Sequence, residues 1–179
     1  WILNSIINFN YFQQFMKLKK NYFKNFILDV DGVLTTGQFF YDQYGKKYKI
    51  FSVDDKDALT ILKKYIKISF ITSDIKGFKI SKKRVEDMGF KLKYISSNKR
   101  YSWMKKNYDL KNIIFMGDGL YDFRLFKNVG MSICPKNSVS ILKKYANYVT
   151  KNKGGERSVT DACIFILKKI FKMNIQNLI

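Results

Sequence analysis

The chain has 179 residues and a formal net charge of +20, with 34 Lys and Arg against 14 Asp and Glu and no histidine. Its 46% apolar content is enough for one domain with a real core, which excludes a disordered chain, and no apolar run is long enough to cross a bilayer, so no membrane partner is expected. The missing histidine excludes Ser-His-Asp catalysis, histidine-ligated zinc and phosphohistidine chemistry, and leaves acid–base work to carboxylates, Lys or Tyr.

The charge raises the question of nucleic acid. The basic residues are almost all Lys, and Arg occurs only at Arg84, Arg100, Arg124 and Arg157. Base readout favours bidentate Arg, and the lysines are scattered in pairs rather than gathered in a block. Together with the abundance of Asn, Ile, Phe and Tyr, this is the composition of AT-rich coding sequence. It reads as a solvated basic surface that attracts anionic substrates, with no nucleic-acid partner expected. Cys134 and Cys163 lie in apolar segments without metal-ligand or disulfide spacing, so core packing and a reducing cytoplasm are expected.

In chain order, residues 1–15 precede the first Met, Met16, and read as an extension outside the domain, which is expected to span 16–179. "NFILDV" predicts a buried first strand. "QFFYDQYGKKYKIFSV" predicts an aromatic-rich hairpin over 38–53 with its turn near Gly45. "DDKDALTILKKY" has helical spacing with acids in its first turn, where the helix dipole favours them. A second strand, "KISFITSD", leads to a helix that stops at Gly89, a residue suited to a helix C-terminus. "KLKYISS", "NIIFMGDG", "MSICP" and "NYVT" predict four more strands, separated by helices in "NKRYSWMKKNY", "LYDFRLFKNVG" and "SVSILKKYA". "GGERSVTDACIFILKKIF" predicts a glycine turn and a closing helix. Alternation of helices with continuously apolar strands predicts an α/β fold with a mainly parallel sheet and a β-hairpin inserted after the first strand.

Ligands of open parallel sheets bind at the carboxyl ends of the strands. Asp29 and Asp31 follow strand one, Thr72, Ser73 and Asp74 follow strand two, Lys99 and Arg100 follow strand three, and Asp118 and Asp122 follow strand four. Each has a plainer use alone, the aspartates in Asx turns, Thr72 and Ser73 as helix caps, and Lys99 as a solvated side chain. Together they put several carboxylates, a hydroxyl and a cation on one rim. Such carboxylates repel one another without a cation, and an all-oxygen set points to Mg²⁺. One carboxylate can then act as a nucleophile toward phosphorus, and another can protonate the leaving oxygen and activate water.

The segments "LDVDGVLTTG", "FITSD", "SSNKR" and "MGDGLYD" resemble the four motifs of the haloacid dehalogenase superfamily of phosphohydrolases, over about residues 24–170. The hairpin, "VGMSICPKNS", "YANYVTKNKGGERSV" and the short chain look like its capless branch. That branch holds the 3-deoxy-D-manno-octulosonate 8-phosphate phosphatases and the phosphatase-like domains of acylneuraminate cytidylyltransferases. The resemblance implies a capless Rossmann-like three-layer sandwich, cytoplasmic, assembled as a homotetramer through the 38–53 hairpin. It implies Mg²⁺-dependent hydrolysis of an acidic sugar phosphate of octulosonate or nonulosonate type, in lipopolysaccharide or sialic acid synthesis. It assigns Asp29 as nucleophile and metal ligand, and Asp31 as acid–base with its carbonyl on the metal. Thr72 and Lys99 are assigned to the phosphoryl group, Asp118 to the metal, Asp122 to support of the metal site, and Ser73 and Arg100 to substrate. The alternative it carries is a weakly active or inactive regulatory or oligomerising domain partnered with a sugar cytidylyltransferase. The chain departs from the branch at Gly119, where a second acid is usual, in "VDDKDA", which keeps only Asp55 of an Arg-Asp-Gly, and at Asp74, which stands where a cation is expected. Lys76 and Arg100 are the candidates to replace that cation.

Overall fold

The computed structural model describes residues 22–174, 176 and 178, so the expected extension over 1–15 lies outside the described residues. Strand β1 (Asn25–Asp29) leads into an antiparallel hairpin of β2 (Thr35–Asp42) and β3 (Gly45–Phe51). Then follow α1 (Asp55–Leu62), β4 (Lys67–Thr72), α2 (Phe78–Asp87), β5 (Leu92–Tyr94), α3 (Arg100–Asn107), β6 (Ile113–Met116) and α4 (Phe123–Phe126). The chain continues through β7 (Met131–Cys134), α5 (Ser140–Tyr145), β8 (Tyr148–Val149) and α6 (Ser158–Lys169). Six strands form one sheet in the order β5-β4-β1-β6-β7-β8, and every pairing in it is parallel.

The strands read as continuous apolar runs because both faces of the sheet are covered. Phe26 and Leu28 of β1 point into one core with Leu59 and Leu62 of α1, Val85 of α2, and Ala162 and Ile166 of α6. Ile27 points the opposite way, into a second core with Met104 of α3, Leu125 and Phe126 of α4, and Leu142 of α5. The result is the expected three-layer α/β sandwich. Each large side chain fully buried in it, such as Phe26, Phe70 or Phe115, contributes about 1.5–3 kcal/mol of transfer free energy. Cys134 and Cys163 are both buried and free, and burial raises both thiols above their ordinary value, as suits packing residues.

Local signals operate as their chemistry dictates. Gly89 follows α2 in a left-handed conformation at φ +82°, and its N–H donates to the Glu86 carbonyl at 2.8 Å. At the hairpin tip the Asp42 carboxylate accepts from the Tyr44 N–H at 2.8 Å. The hairpin leaves Phe40, Tyr41, Tyr44 and Tyr48 exposed on the described surface. It is the insertion between β1 and α1, and no cap domain is present among the described residues.

The chain runs outward from β1 to β4 and β5, then returns to place β6 on the other side of β1. This reversal opens a crevice above the carboxyl ends of β1, β4 and β6. The floor of that crevice is braced from below. Asp55 at the start of α1 is fully buried, and its Oδ1 accepts from the backbone N–H and the hydroxyl of Thr160, at 2.9 and 2.8 Å, which locks α1 to α6.

Burial raises the Asp55 carboxyl above its ordinary value, outweighing the two bonds from Thr160 that lower it. In the interval above the ordinary carboxylate value the folded protein therefore holds a proton that the unfolded chain has released. The stability from this group falls as pH rises through that interval. Thermal melts are expected to show Asp55→Asn gaining stability relative to the parent as pH rises above the ordinary carboxylate value. A difference between the two proteins that does not change with pH contradicts this.

Candidate active site

Asp29 is the last residue of β1, and Asp118 and Asp122 lie just beyond β6. The strand pairing alone brings these segments together, and the three residues offer carboxylate oxygens within 4.8 Å of one another. Asp29 is buried; its Oδ1 accepts from the Val30 N–H at 2.8 Å and its Oδ2 from Arg100 Nη1 at 2.7 Å. The same Arg100 nitrogen donates to Asp122 Oδ1. Asp122 Oδ2 accepts from the N–H groups of Asp118 and Gly119, both at 3.2 Å, and so shapes the loop that carries Asp118. Gly32 makes room for that loop. A Cβ there would stand 1.9 Å from Asp118 Oδ2, and its φ of +81° disfavours any other residue.

One guanidinium thus faces three buried or half-buried carboxylates. Burial first, and then the neighbouring carboxylates, push Asp118 up to about 8, against the lowering effect of Arg100. Burial likewise raises Asp29 to about 6, although Arg100 holds it down. The cluster lacks positive charge, and its donors are all hard oxygens. This is the donor set that a small divalent cation such as Mg²⁺ fits.

A second group stands beside the first. Asp31 accepts from Lys49 Nζ on Oδ1 at 2.6 Å and from the Thr72 hydroxyl on Oδ2 at 3.1 Å. Thr72 is fully buried at the end of β4, and its oxygen also accepts from the Asp74 N–H at 3.1 Å. Ser73 is half-buried on the same rim. Burial alone would raise Asp74, but bonds from Lys46, Lys49 and the Gly77 N–H outweigh it and hold this carboxyl down at about 2. Beside the site is a cleft of about 370 Å³, whose lining includes Thr36, Asn137, Lys153, Gly154 and Glu156.

Two sequence expectations need correction. Lys99 was expected against the nucleophile, but it is exposed on the outer side of the 3-10 turn Ser97–Lys99, lining a groove with Lys93, Trp103 and Lys106. Arg100, which opens α3, takes the inward position instead, bonded to Asp29 and Asp122. The charge facing Asp74 comes from neither Lys76, which is exposed, nor Arg100, but from Lys46 and Lys49 of the hairpin. Sequence reasoning missed these two lysines because nothing local separates them from the other lysines of the chain. The missing positive charge at Asp74 was the available signal.

Arg100→Ala removes the only cation bonded to Asp29 and Asp122 among the described residues, and breaking such a buried pair costs about 3–5 kcal/mol. Lys99→Ala, at an exposed position, is expected to change stability by no more than about 0.5 kcal/mol. Urea unfolding of the two variants checks this, and equal losses contradict the placement of Arg100.

Comparison with known proteins agrees with the geometry. The family model of haloacid dehalogenase-like hydrolases matches residues 2–162. The chain is 30% identical over 147 residues to the 3-deoxy-D-manno-octulosonate 8-phosphate phosphatase KdsC of Escherichia coli (strain K12), covering 79% of this chain and 77% of that protein. It is similar to the crystal structure of 3-deoxy-D-manno-octulosonate 8-phosphate phosphatase from Moraxella catarrhalis in complex with a magnesium ion, a phosphate ion and a KDO molecule. That likeness has a TM-score of 0.76 and 27% identity and covers 91% of this chain and 94% of the other. A similar structure is the cobalt-bound form of the Haemophilus influenzae deoxy-D-mannose-octulosonate 8-phosphate phosphatase, with a TM-score of 0.73 and 25% identity, covering 86% and 92%.

Proposed function

The chain belongs to the haloacid dehalogenase-like hydrolases, and on that premise we propose that it is a Mg²⁺-dependent phosphomonoesterase acting on an acidic sugar phosphate through an aspartyl-phosphate on Asp29. The observation that carries this reading is the meeting of Asp29, Asp118 and Asp122 around one guanidinium, with Asp31 and Thr72 beside them. The substrate class, an octulosonate or nonulosonate phosphate, is supported by the relatives that are phosphatases of 3-deoxy-D-manno-octulosonate 8-phosphate.

In this reading an Asp29 oxygen attacks phosphorus in line, forming the O–P bond as the bond to the sugar oxygen breaks. Asp31 gives its proton to that departing oxygen. It then takes a proton from a water molecule, which attacks phosphorus and releases inorganic phosphate and Asp29. The Thr72 hydroxyl and the Arg100 guanidinium stand ready to hold and neutralise phosphoryl oxygens, and such positioning supplies most of the acceleration in phosphoryl transfer. Asp29, Asp118 and the Asp31 carbonyl would hold Mg²⁺, whose chemistry there is to neutralise charge on the transferring group. Asp122 serves by orienting the Asp118 loop and Arg100.

The adjacent polar cleft, with Lys153 on its wall, has room for the body of a sugar acid. The exposed aromatic hairpin supports assembly as a homotetramer, since apolar side chains gathered on one projection are the usual mark of a protein contact.

Phosphate release from octulosonate and nonulosonate phosphates, with and without Mg²⁺ and beside Asp29→Asn, tests the proposal. Turnover that requires the metal and falls to background in the variant is expected. Turnover that survives Asp29→Asn, or none on any sugar phosphate from folded, metal-loaded protein, contradicts it.

A further inference from the structure

The side chain of Lys49 is completely buried, in a chain whose other described lysines mostly reach solvent. Burying an ammonium is costly unless each of its donors finds an acceptor. Lys49 has three acceptors for its three donors: Asp31 Oδ1 at 2.6 Å, Asp74 Oδ2 at 2.8 Å and Ser81 Oγ at 2.7 Å. The cluster is closely packed at Gly77, where a Cβ would stand 2.7 Å from Lys49 Cε and 2.2 Å from Asp74 Oδ2. Of the three acceptors, Asp74 is already served by Lys46 and by the Gly77 N–H at 3.0 Å. Lys46 is itself held over the Phe39 ring, 3.4 Å from its centre. Among the described cations only Lys49 bonds to Asp31.

The two oxygens of Asp31 are thereby made different. Oδ1 is fixed by Lys49, and Oδ2 accepts, among the described residues, only from the lighter, rotatable hydroxyl of Thr72. We infer that Lys49 is a positioning residue that pins one oxygen of Asp31 and so aims the other at the bond being broken. This rests on the reading of Asp31 as the general acid. The hairpin thus enters the active site through one buried side chain. A proton donor placed about 1 Å off line loses on the order of a hundredfold in rate, so the pin matters to the chemistry as well as to the packing.

A leaving group that needs no proton separates the two roles. The ratio of kcat/KM for 3-deoxy-D-manno-octulosonate 8-phosphate to that for 4-nitrophenyl phosphate reports the proton delivered in the first chemical step. Asp31→Asn should lower this ratio by about a hundredfold or more. Lys49→Met should lower it by about tenfold or more, while Asp74→Asn, which alters the same cluster without touching Asp31, should leave it near the parent value. Lys49→Gln, which keeps one donor, makes the same comparison if the methionine variant folds poorly. Should Asp31→Asn lower the ratio while the Lys49 variants slow both substrates equally, or should Asp74→Asn match them, Lys49 is a packing residue and the inference is overturned. A ratio unmoved by Asp31→Asn overturns the reading of Asp31, and this inference falls with it.

Discussion

Everything at the mouth of this fold answers to a charge imbalance: Asp29, Asp118 and Asp122 crowd together, and among the described residues only the Arg100 cation is bonded within the cluster. Carboxylates this close and this shielded from water are costly to ionise together, and the Asp118 and Asp29 carboxyls are raised, first by burial and then by their acidic neighbours, against the lowering effect of Arg100. A fold retains such a cluster only where something else holds it together. Here the holding is done by the parallel pairing of β1 with β4 and β6, by the Asp122 bonds to the loop after β6, and by the close approach that Gly32 allows. The unmet demand for positive charge makes the site suited to a cation, which would in turn attract the anionic oxygens of a phosphoryl group.

A second ionic group lies alongside, and its balance differs. Asp31 and Asp74 are met by Lys46 and Lys49, and the Asp74 carboxyl is held low instead of being raised. One carboxylate group is short of cations and the other is matched. In the proposed mechanism this contrast divides the work between attack on phosphorus and proton transfer. Both lysines stand on the hairpin, so the segment with the most exposed aromatic surface also reaches the chemistry.

Much of this was legible in the sequence, for identifiable reasons. The core strands announce themselves because a sheet covered on both faces must be apolar throughout, and Gly89 marks the end of α2 because only a residue without a side chain turns left-handed so easily. Asp29, Asp31 and Asp118 were legible because they interrupt apolar runs at strand ends. What escaped was orientation and long-range pairing. Lys99 and Arg100 are neighbours where a 3-10 turn passes into a helix, and which of them points inward depends on the winding at that junction. Lys49 meets Asp31, Asp74 and Ser81 only because the hairpin folds back over β4 and α2, which no local pattern encodes. Asp55 looked like a helix-dipole acid and is also the brace between α1 and α6.

The central claim is that Asp29 carries the phosphoryl group. Acid-quenching the protein during turnover of a sugar phosphate with Mg²⁺, followed by proteolysis and mass spectrometry, tests it most directly. The account predicts one added phosphoryl group on the peptide containing Asp29 and on no other. Steady turnover with that peptide unmodified, or with the group on a different peptide, would contradict it.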